Sequence, residues 1–227
     1  MKSNGKRKQI AVIGLGQFGG QIARDLAKHA EVLAIDRDKE RVDVIAEQVQ
    51  RALCLDASDL ASLKAVISPA FDEVIVSMGE TMEASILCTL HLRQIGVKSI
   101  RAKAISDDHA VILTSVGANR VVFPERETAS RMALHIINPN LLDFIPIEQD
   151  YRVMDLAAPE SFHGETLVKL HLRKHLGVFI IAIKQPDKQA FVFLPGPDYA
   201  IRPEDVLVMI GKEDDLLRVG KEESTPA

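Results

Sequence analysis

Ile10-Ala11-Val12-Ile13-Gly14-Leu15-Gly16-Gln17-Phe18-Gly19-Gly20 is the stretch on which the fold turns. Residues 9–13 form a short apolar run cut off by glycine, the pattern of a buried strand. Beyond the glycines, Ile22, Leu26 and Ala27 recur at helical spacing. Between them Gly14, Gly16 and Gly19 satisfy G-x-G-x-x-G. That motif alone is weak, but a strand before it and a helix after it are what its mechanism requires. Gly14 permits the tight turn, Gly16 lets a phosphate approach the backbone, and Gly19 lets helix pack on strand. The open N–H groups and dipole of the helix start then favour an anion. A second apolar run, residues 31–35, ends at Asp36, 17 positions after Gly19. A carboxylate there suits ribose hydroxyls and repels a 2′-phosphate, which disfavours NADP. The loop leaves NAD, ATP, ADP and AMP open.

Outward from this unit the alternation continues. Strands are expected at 52–55, 73–77, 99–102 and 120–123, and helices at 39–48, 58–67, 81–95, 107–116 and 125–137. Gly96 and Gly117 stand where two of the helices should stop. Six strands alternating with helices imply an α/β domain of Rossmann type, a parallel sheet covered on both faces. Asn138-Pro139-Asn140 breaks the pattern, so this domain is expected over 1–138. Residues 139–227 read as a small α+β domain. Strands are expected there at 152–157, 178–183, 191–194 and 206–210, and helices at 167–174 and 214–219, with a polar turn at 185–189. The apolar run 178–183 is read as the core of a dimer.

Composition narrows the class. Apolar residues make up 47% and charged residues 26%, enough for ordinary cores, and a net charge of −4 gives no sign of a nucleic-acid partner. No signal-peptide core follows the polar, basic start, and no run reaches the ~18 apolar residues of a membrane helix. A cytoplasmic location is expected. Cys54 and Cys88 lie in apolar runs without zinc or redox spacing and read as buried free thiols. His91, His135 and His171 read as ordinary helix residues, and His109 as either a helix-start polar residue or a ligand contact. No Ser/His/Asp, Cys/His or H-E-x-x-H pattern is present, so an enzyme is not expected.

Further stretches carry a resemblance: Val32-Leu-Ala-Ile-Asp36, Asp56-Ala-Ser58, Val74-Ile-Val-Ser-Met-Gly79, Gly117-Ala-Asn-Arg-Val-Val-Phe-Pro-Glu125, Gly164-Glu-Thr-Leu167, Leu170-His-Leu-Arg173 and Pro203-Glu-Asp-Val-Leu-Val-Met-Ile-Gly211. With the glycine loop, they make nearly the whole chain resemble the bacterial regulators of potassium conductance (RCK), the cytosolic gating subunits of Ktr and Trk potassium uptake systems. The resemblance implies an RCK-N-like Rossmann domain and an RCK-C-like carboxyl-terminal domain. It implies homodimers assembled into a ring, an octamer, docked on the cytoplasmic face of a Ktr- or Trk-type potassium-transporting membrane protein. ATP and ADP would favour different ring shapes, and NAD or NADH is the ligand in part of the family.

By matching position, Gly14, Gly16, Gly19 and Asp36 would hold phosphates and ribose, with Gln17, Phe18 and Arg37 beside them. Asp56, Ala57 and Ser58 would flank adenine, and Ser77, Met78, Gly79 and Glu80 would line the cleft. Lys103 is either a phosphate-neutralising cation or a solvated lysine. Glu125 is either a helix-start carboxylate or, as the resemblance implies, a ligand for a divalent cation such as Mg or Ca near the nucleotide. The Ktr pattern carries arginine in the loop where this chain has Gln17, which donates hydrogen bonds without charge. The carboxyl-terminal domain takes a second ligand, cyclic di-AMP, in some relatives. Two other functions fit the residues: an NAD-dependent oxidoreductase, and a nucleotide-sensing module for another transporter.

Overall fold

The computed structural model describes residues 7–79, 81–148, 150–186 and 190–221. The turn expected at 185–189 therefore lies largely outside the described residues. The chain divides into two compact units, Met1–Arg126 and Glu127–Ala227.

The first unit alternates strand and helix. Its strands are β1 (Gln9–Ile13), β2 (Glu31–Asp36), β3 (Arg51–Cys54), β4 (Glu73–Val76), β5 (Ile100–Lys103) and β6 (Arg120–Val122). Between them run α1 (Gln17–Ala27), α2 (Lys39–Ile45), α3 (Leu60–Val66), α4 (Met82–Ile95) and α5 (Asp107–Val116). All pairings are parallel, in the order β3-β2-β1-β4-β5-β6. This is the Rossmann order, which reverses between β1 and β4. Helices cover both faces, so β1 has no polar side to show. Ala11 and Ile13 join the core with Leu63, Cys88, Leu92 and Leu113, while Ile10 and Val12 join Ala23, Val42 and Ile45 on the opposite face. The helix ends follow local chemistry. The side chains of Asp38, Asp59 and Ser106 cap the starts of α2, α3 and α5, and Gly96 and Gly117 close α4 and α5 at positive φ.

α6 (Pro124–Ile137) begins at the end of the first unit and carries the chain into the second, and Asn138 follows it directly. The second unit holds an antiparallel sheet ordered β10-β9-β11-β8-β7. Its strands are β7 (Leu141–Glu148), β8 (Tyr151–Ala157), β9 (Phe179–Gln185), β10 (Ala190–Phe193) and β11 (Val206–Lys212). The helices are α7 (Leu167–Leu170), α8 (Leu172–His175) and α9 (Glu213–Lys221). Its core joins Met154, Leu156, Phe162, Ile183, Leu207, Met209 and Leu216.

Four expectations are corrected. β7 is a strand the sequence reading passed over. It lies at the sheet edge, where Pro146 is tolerated, and Leu142, Ile145 and Ile147 stay exposed, so no polar–apolar alternation marks it. The single helix expected at 167–174 is two short ones, because His171 between them is left-handed at φ 45°. The apolar run 178–183 buries Val178, Ile180, Ala182 and Ile183 inside its own unit, with β9 between β10 and β11. Cys54 is exposed at the end of edge strand β3, while Cys88 is buried as expected. No helix among the described residues is long and apolar enough to cross a membrane.

Candidate functional site

The carboxyl ends of the parallel strands converge on a cleft of about 440 Å³. In an open α/β sheet this is where ligands bind, at the point of order reversal. Each strand hands the cleft a short segment. β1 ends in the glycine loop, β2 in Asp36 and Arg37, and β3 in Leu55, Asp56 and Ala57. β4 ends in Ser77, Met78 and Gly79, and β5 in Lys103 and Ile105. Glu125, on the first turn of α6, completes this wall.

The three loop glycines differ in what surrounds them. Gly14 has φ +92°, and a β-carbon there would lie 2.8 Å from the backbone of Ser77. At Gly19 a β-carbon would meet the carbonyl oxygen of Gly14 at 1.9 Å, so any side chain pushes α1 off β1. Gly16 is open: the nearest atom to a β-carbon would be a guanidinium nitrogen of Arg41 at 3.7 Å. Two of the glycines thus close the turn, and the middle one leaves space toward the cleft.

Asp36 is buried and ties the loop to the second strand. Its carboxylate accepts the backbone N–H of Leu15 at 2.6 Å and that of Asp38 at 2.9 Å. Both bonds are charge-assisted and fix the carboxylate's orientation. Asp56 accepts the hydroxyl of Ser58 at 2.6 Å and its N–H at 2.8 Å, and these bonds hold its carboxyl below the ordinary value. Lys103 is mostly buried and donates to Glu125, whose carboxyl is thereby held below its ordinary value. Lys103 is therefore not a solvated lysine. Glu125 is at once a helix-start residue and half of an ion pair.

Of the residues singled out in the sequence, Gly14, Gly16, Gln17, Phe18, Asp36, Arg37, Asp56, Ala57, Ser77, Met78, Gly79, Lys103 and Glu125 line this one cleft. Gly19 and Ser58 do not line it; they act on Gly14 and Asp56. Glu80 lies outside the described residues. Sequence reasoning missed Arg41, Thr81 and Ala84, and the apolar Ile13, Ile35, Leu55 and Ile105. Arg41 had a usable signal. It is the third residue of α2, and helical side chains lean back over the turn that precedes them. His109 bears out its helix-start reading and not the ligand-contact one: it is the third residue of α5, and its backbone N–H donates to the capping Ser106 hydroxyl at 3.1 Å. It is fully buried and takes no part in the lining. Its Nδ1 accepts from the Ile105 N–H at 3.4 Å, and its Nε2 lies 2.8 Å from Ser85 Oγ, which donates to the Met82 carbonyl. Since Nδ1 accepts, Nε2 carries the proton. Burial holds the imidazole below its ordinary value.

The second unit has its own cleft, of about 600 Å³. Leu167, Leu172, Phe179, Ile180 and Pro195 supply apolar walls, with His171, Arg173 and Lys174 alongside.

Sheet order, glycine loop and strand-end carboxylate define a Rossmann nucleotide-binding module followed by a small antiparallel-sheet module. Residues 10–124 match the TrkA-N domain and residues 153–222 the TrkA-C domain, and the chain belongs to the family that these two domains define. It is 38% identical over 216 residues to Ktr system potassium uptake protein C of Bacillus subtilis (strain 168), covering 95% of this chain and 97% of that one. It is 33% identical over 218 residues to Ktr system potassium uptake protein A of the same strain, covering 96% and 97%. The solved GsuK channel bound to NAD shares the fold, with a TM-score of 0.61 and 16% identity over 100% of this chain and 41% of that one. The chain stands with regulatory proteins of potassium uptake rather than with enzymes.

Proposed function

We propose that the first unit's cleft binds an adenine nucleotide, ATP or ADP, with NAD or NADH as the alternative, and that the bound nucleotide sets the activity of a Ktr- or Trk-type potassium-transporting membrane protein. The observation that carries the reading is the pairing of buried Asp36 with the open face of Gly16 across one cleft. Asp36 offers remaining lone pairs to ribose hydroxyls, Gly16 admits phosphate, and Met78, Leu55 and Ala57 give the base an apolar bed. A relative named as bound to NAD supports the dinucleotide alternative.

Among the described residues that line the cleft, Glu125 is the carboxylate paired with Lys103. Among the described residues no group of three or more His, Cys, Asp or Glu is placed to hold a metal. Glu125 would hold a divalent cation such as Mg or Ca together with nucleotide phosphates and water. Such a cation neutralises phosphate charge, and Glu125 would exchange Lys103 for it.

Regulation follows if the two ligands differ in affinity for two arrangements of an assembly. The assembly proposed is a ring of homodimers, an octamer, on the cytoplasmic face of the membrane through its partner. The second unit's cleft, apolar with cationic residues beside it, suits a compact anion with flat groups, and cyclic di-AMP is the candidate carried by the family resemblance.

A thermal-shift panel with ATP, ADP, AMP, NAD and NADH, with and without Mg or Ca, tests the reading. A ligand at 100 times its Kd raises stability by ~2.7 kcal/mol. A midpoint unmoved by every compound at millimolar concentration removes the nucleotide reading. Light scattering that finds monomers with and without nucleotide removes the ring.

A further inference from the structure

The geometry points to Arg41 as the cation that recognises the nucleotide's first phosphates, supplying from α2 the charge that Gln17 does not supply from the loop. The inference rests on the nucleotide reading of the cleft and names a determinant within it.

Arg41 lies in the first turn of α2, behind the cap Asp38. Its side chain runs back across the β2–α2 turn, the direction that a helical side chain takes. Two carboxylates and the open side of Gly16 mark where the guanidinium ends. Nε is 3.4 Å from the Asp38 carboxylate, and Nη1 is 3.9 Å from Oδ2 of Asp36. Nη1 also lies 3.7 Å from the position a β-carbon would take on Gly16. The guanidinium therefore stands between the carboxylate suited to ribose and the one loop glycine with open space above it. In a nucleotide the first phosphate is joined to the ribose, so a group beside both positions is within reach of that phosphate.

Charge accounting favours the same assignment. The first turn of α1 contains no acidic residue, and its first residue is the neutral Gln17. The pairing of Arg41 with Asp36 is long, and the side chain is 38% exposed. A guanidinium presents several N–H donors in a planar fork that matches phosphate oxygens, and it can turn one edge to a new anion while keeping Asp38 on the other. Nucleotide entry then sets Asp36 against ribose and Arg41 against phosphate.

The assignment separates Arg41 from a residue that only steadies Asp36. A steadying residue serves the ribose, and its loss weakens adenosine and ADP alike. A phosphate-binding residue leaves adenosine untouched. Isothermal titration of adenosine, ADP and ATP against the full chain and its Arg41→Gln and Arg41→Lys variants distinguishes them. Arg41→Gln is expected to weaken ADP and ATP by about tenfold, as for one lost charge-assisted bond. Adenosine should change less than about twofold by the same arithmetic. Arg41→Lys should recover part of the loss, and the loss should shrink in high salt because the group is partly exposed. Unchanged ADP affinity, or equal losses for adenosine and ADP, overturns the assignment while leaving the cleft a nucleotide site. Failure of the unaltered chain to bind ADP, ATP and NAD overturns the nucleotide reading itself and this inference with it. The unchanged adenosine affinity also reports that the variants are folded.

Discussion

The two units spend their sheets differently. In the first, both faces are covered, and β1 has four consecutive buried residues from Ile10 to Ile13. No strand interior is left for chemistry, so polar function is confined to the strand ends, where three basic and three acidic side chains line the cleft. In the second, β8 buries Met154 and Leu156 at alternate positions, and β10 leaves Phe191 and Phe193 exposed and stacked on one another. Its cleft is mostly apolar. A doubly covered sheet makes a precise polar rim, while a singly covered one leaves a face for broader, less charged contacts.

The largest expected effect tests whether the first unit's rigidity is local. Gly19→Ala drives a β-carbon to 1.9 Å from the Gly14 carbonyl. Overpacking against backbone should cost about 3 kcal/mol or more and abolish nucleotide binding. Gly196→Ala in the second unit, where a β-carbon meets nothing within 4 Å, should be neutral to within ~0.5 kcal/mol. The chain has two tyrosines, Tyr151 and Tyr199, and no tryptophan, so tyrosine fluorescence reads the second unit alone. In denaturation followed by both fluorescence and far-ultraviolet dichroism, Gly19→Ala should move the dichroism far more. Equal movement of both signals would mean that the units do not unfold separately, and the contrast between them would fail.

Next in size is Asp36→Ala. It removes the acceptor of two backbone N–H groups and the proposed ribose contact. Loss of one charge-assisted bond is worth ~1.5–3 kcal/mol, so ATP, ADP and NAD should each weaken at least about tenfold by calorimetry. Intact affinity in a folded variant would take Asp36 out of the site.

A smaller effect depends on pH. The buried His109 imidazole is held below its ordinary value of 6.5, so the unfolded chain takes up the proton first. The stability this group confers is full above 6.5 and drains away as pH falls toward the lowered value. His109→Gln should flatten that slope and cost about 1 kcal/mol at pH 8 through the altered bond to Ser85, a cost that shrinks as pH falls. An unchanged slope in denaturation between pH 8 and 5 would assign acid sensitivity elsewhere.

Gln17→Arg has the smallest expected effect. Gln17 is exposed and lines the cleft at the start of α1. An added cation there should raise the ATP-to-ADP affinity ratio by about fivefold, or ~1 kcal/mol, and less in high salt. A flat ratio means that residue 17 does not face the third phosphate.

Much of the first unit was readable because its physics is local. Runs such as residues 10–13 and 32–35 must be apolar on both faces. Helix ends carry their own markers in Ser106, Gly96 and Gly117, and the glycine loop announces a turn and an approach at fixed spacing. What escaped was set by distance along the chain or by conflicting local cues. The Ser85–His109 bond joins residues 24 apart. Arg41 reaches a loop far upstream of it. β7 carries a proline and apolar residues on both faces, and His171 adopts a backbone conformation that histidine does not advertise. The cleft's glycines and strand-end polar residues were legible, and Arg41 and the internal pairing, Lys103 with Glu125 and Asp36 with Leu15, were not.

The two cysteines differ in chemical availability. Burial pushes the Cys88 thiol far up and walls it off from solvent, whereas Cys54 lies exposed, its Sγ 3.4 Å from the carbonyl of Arg37. Only a thiolate is nucleophilic, so a maleimide or an alkylating label should attach to one position on the native chain without any engineering. That position sits next to a residue lining the cleft. The molecule thus comes with a built-in attachment point for a fluorophore or spin label, beside the place where a ligand would arrive.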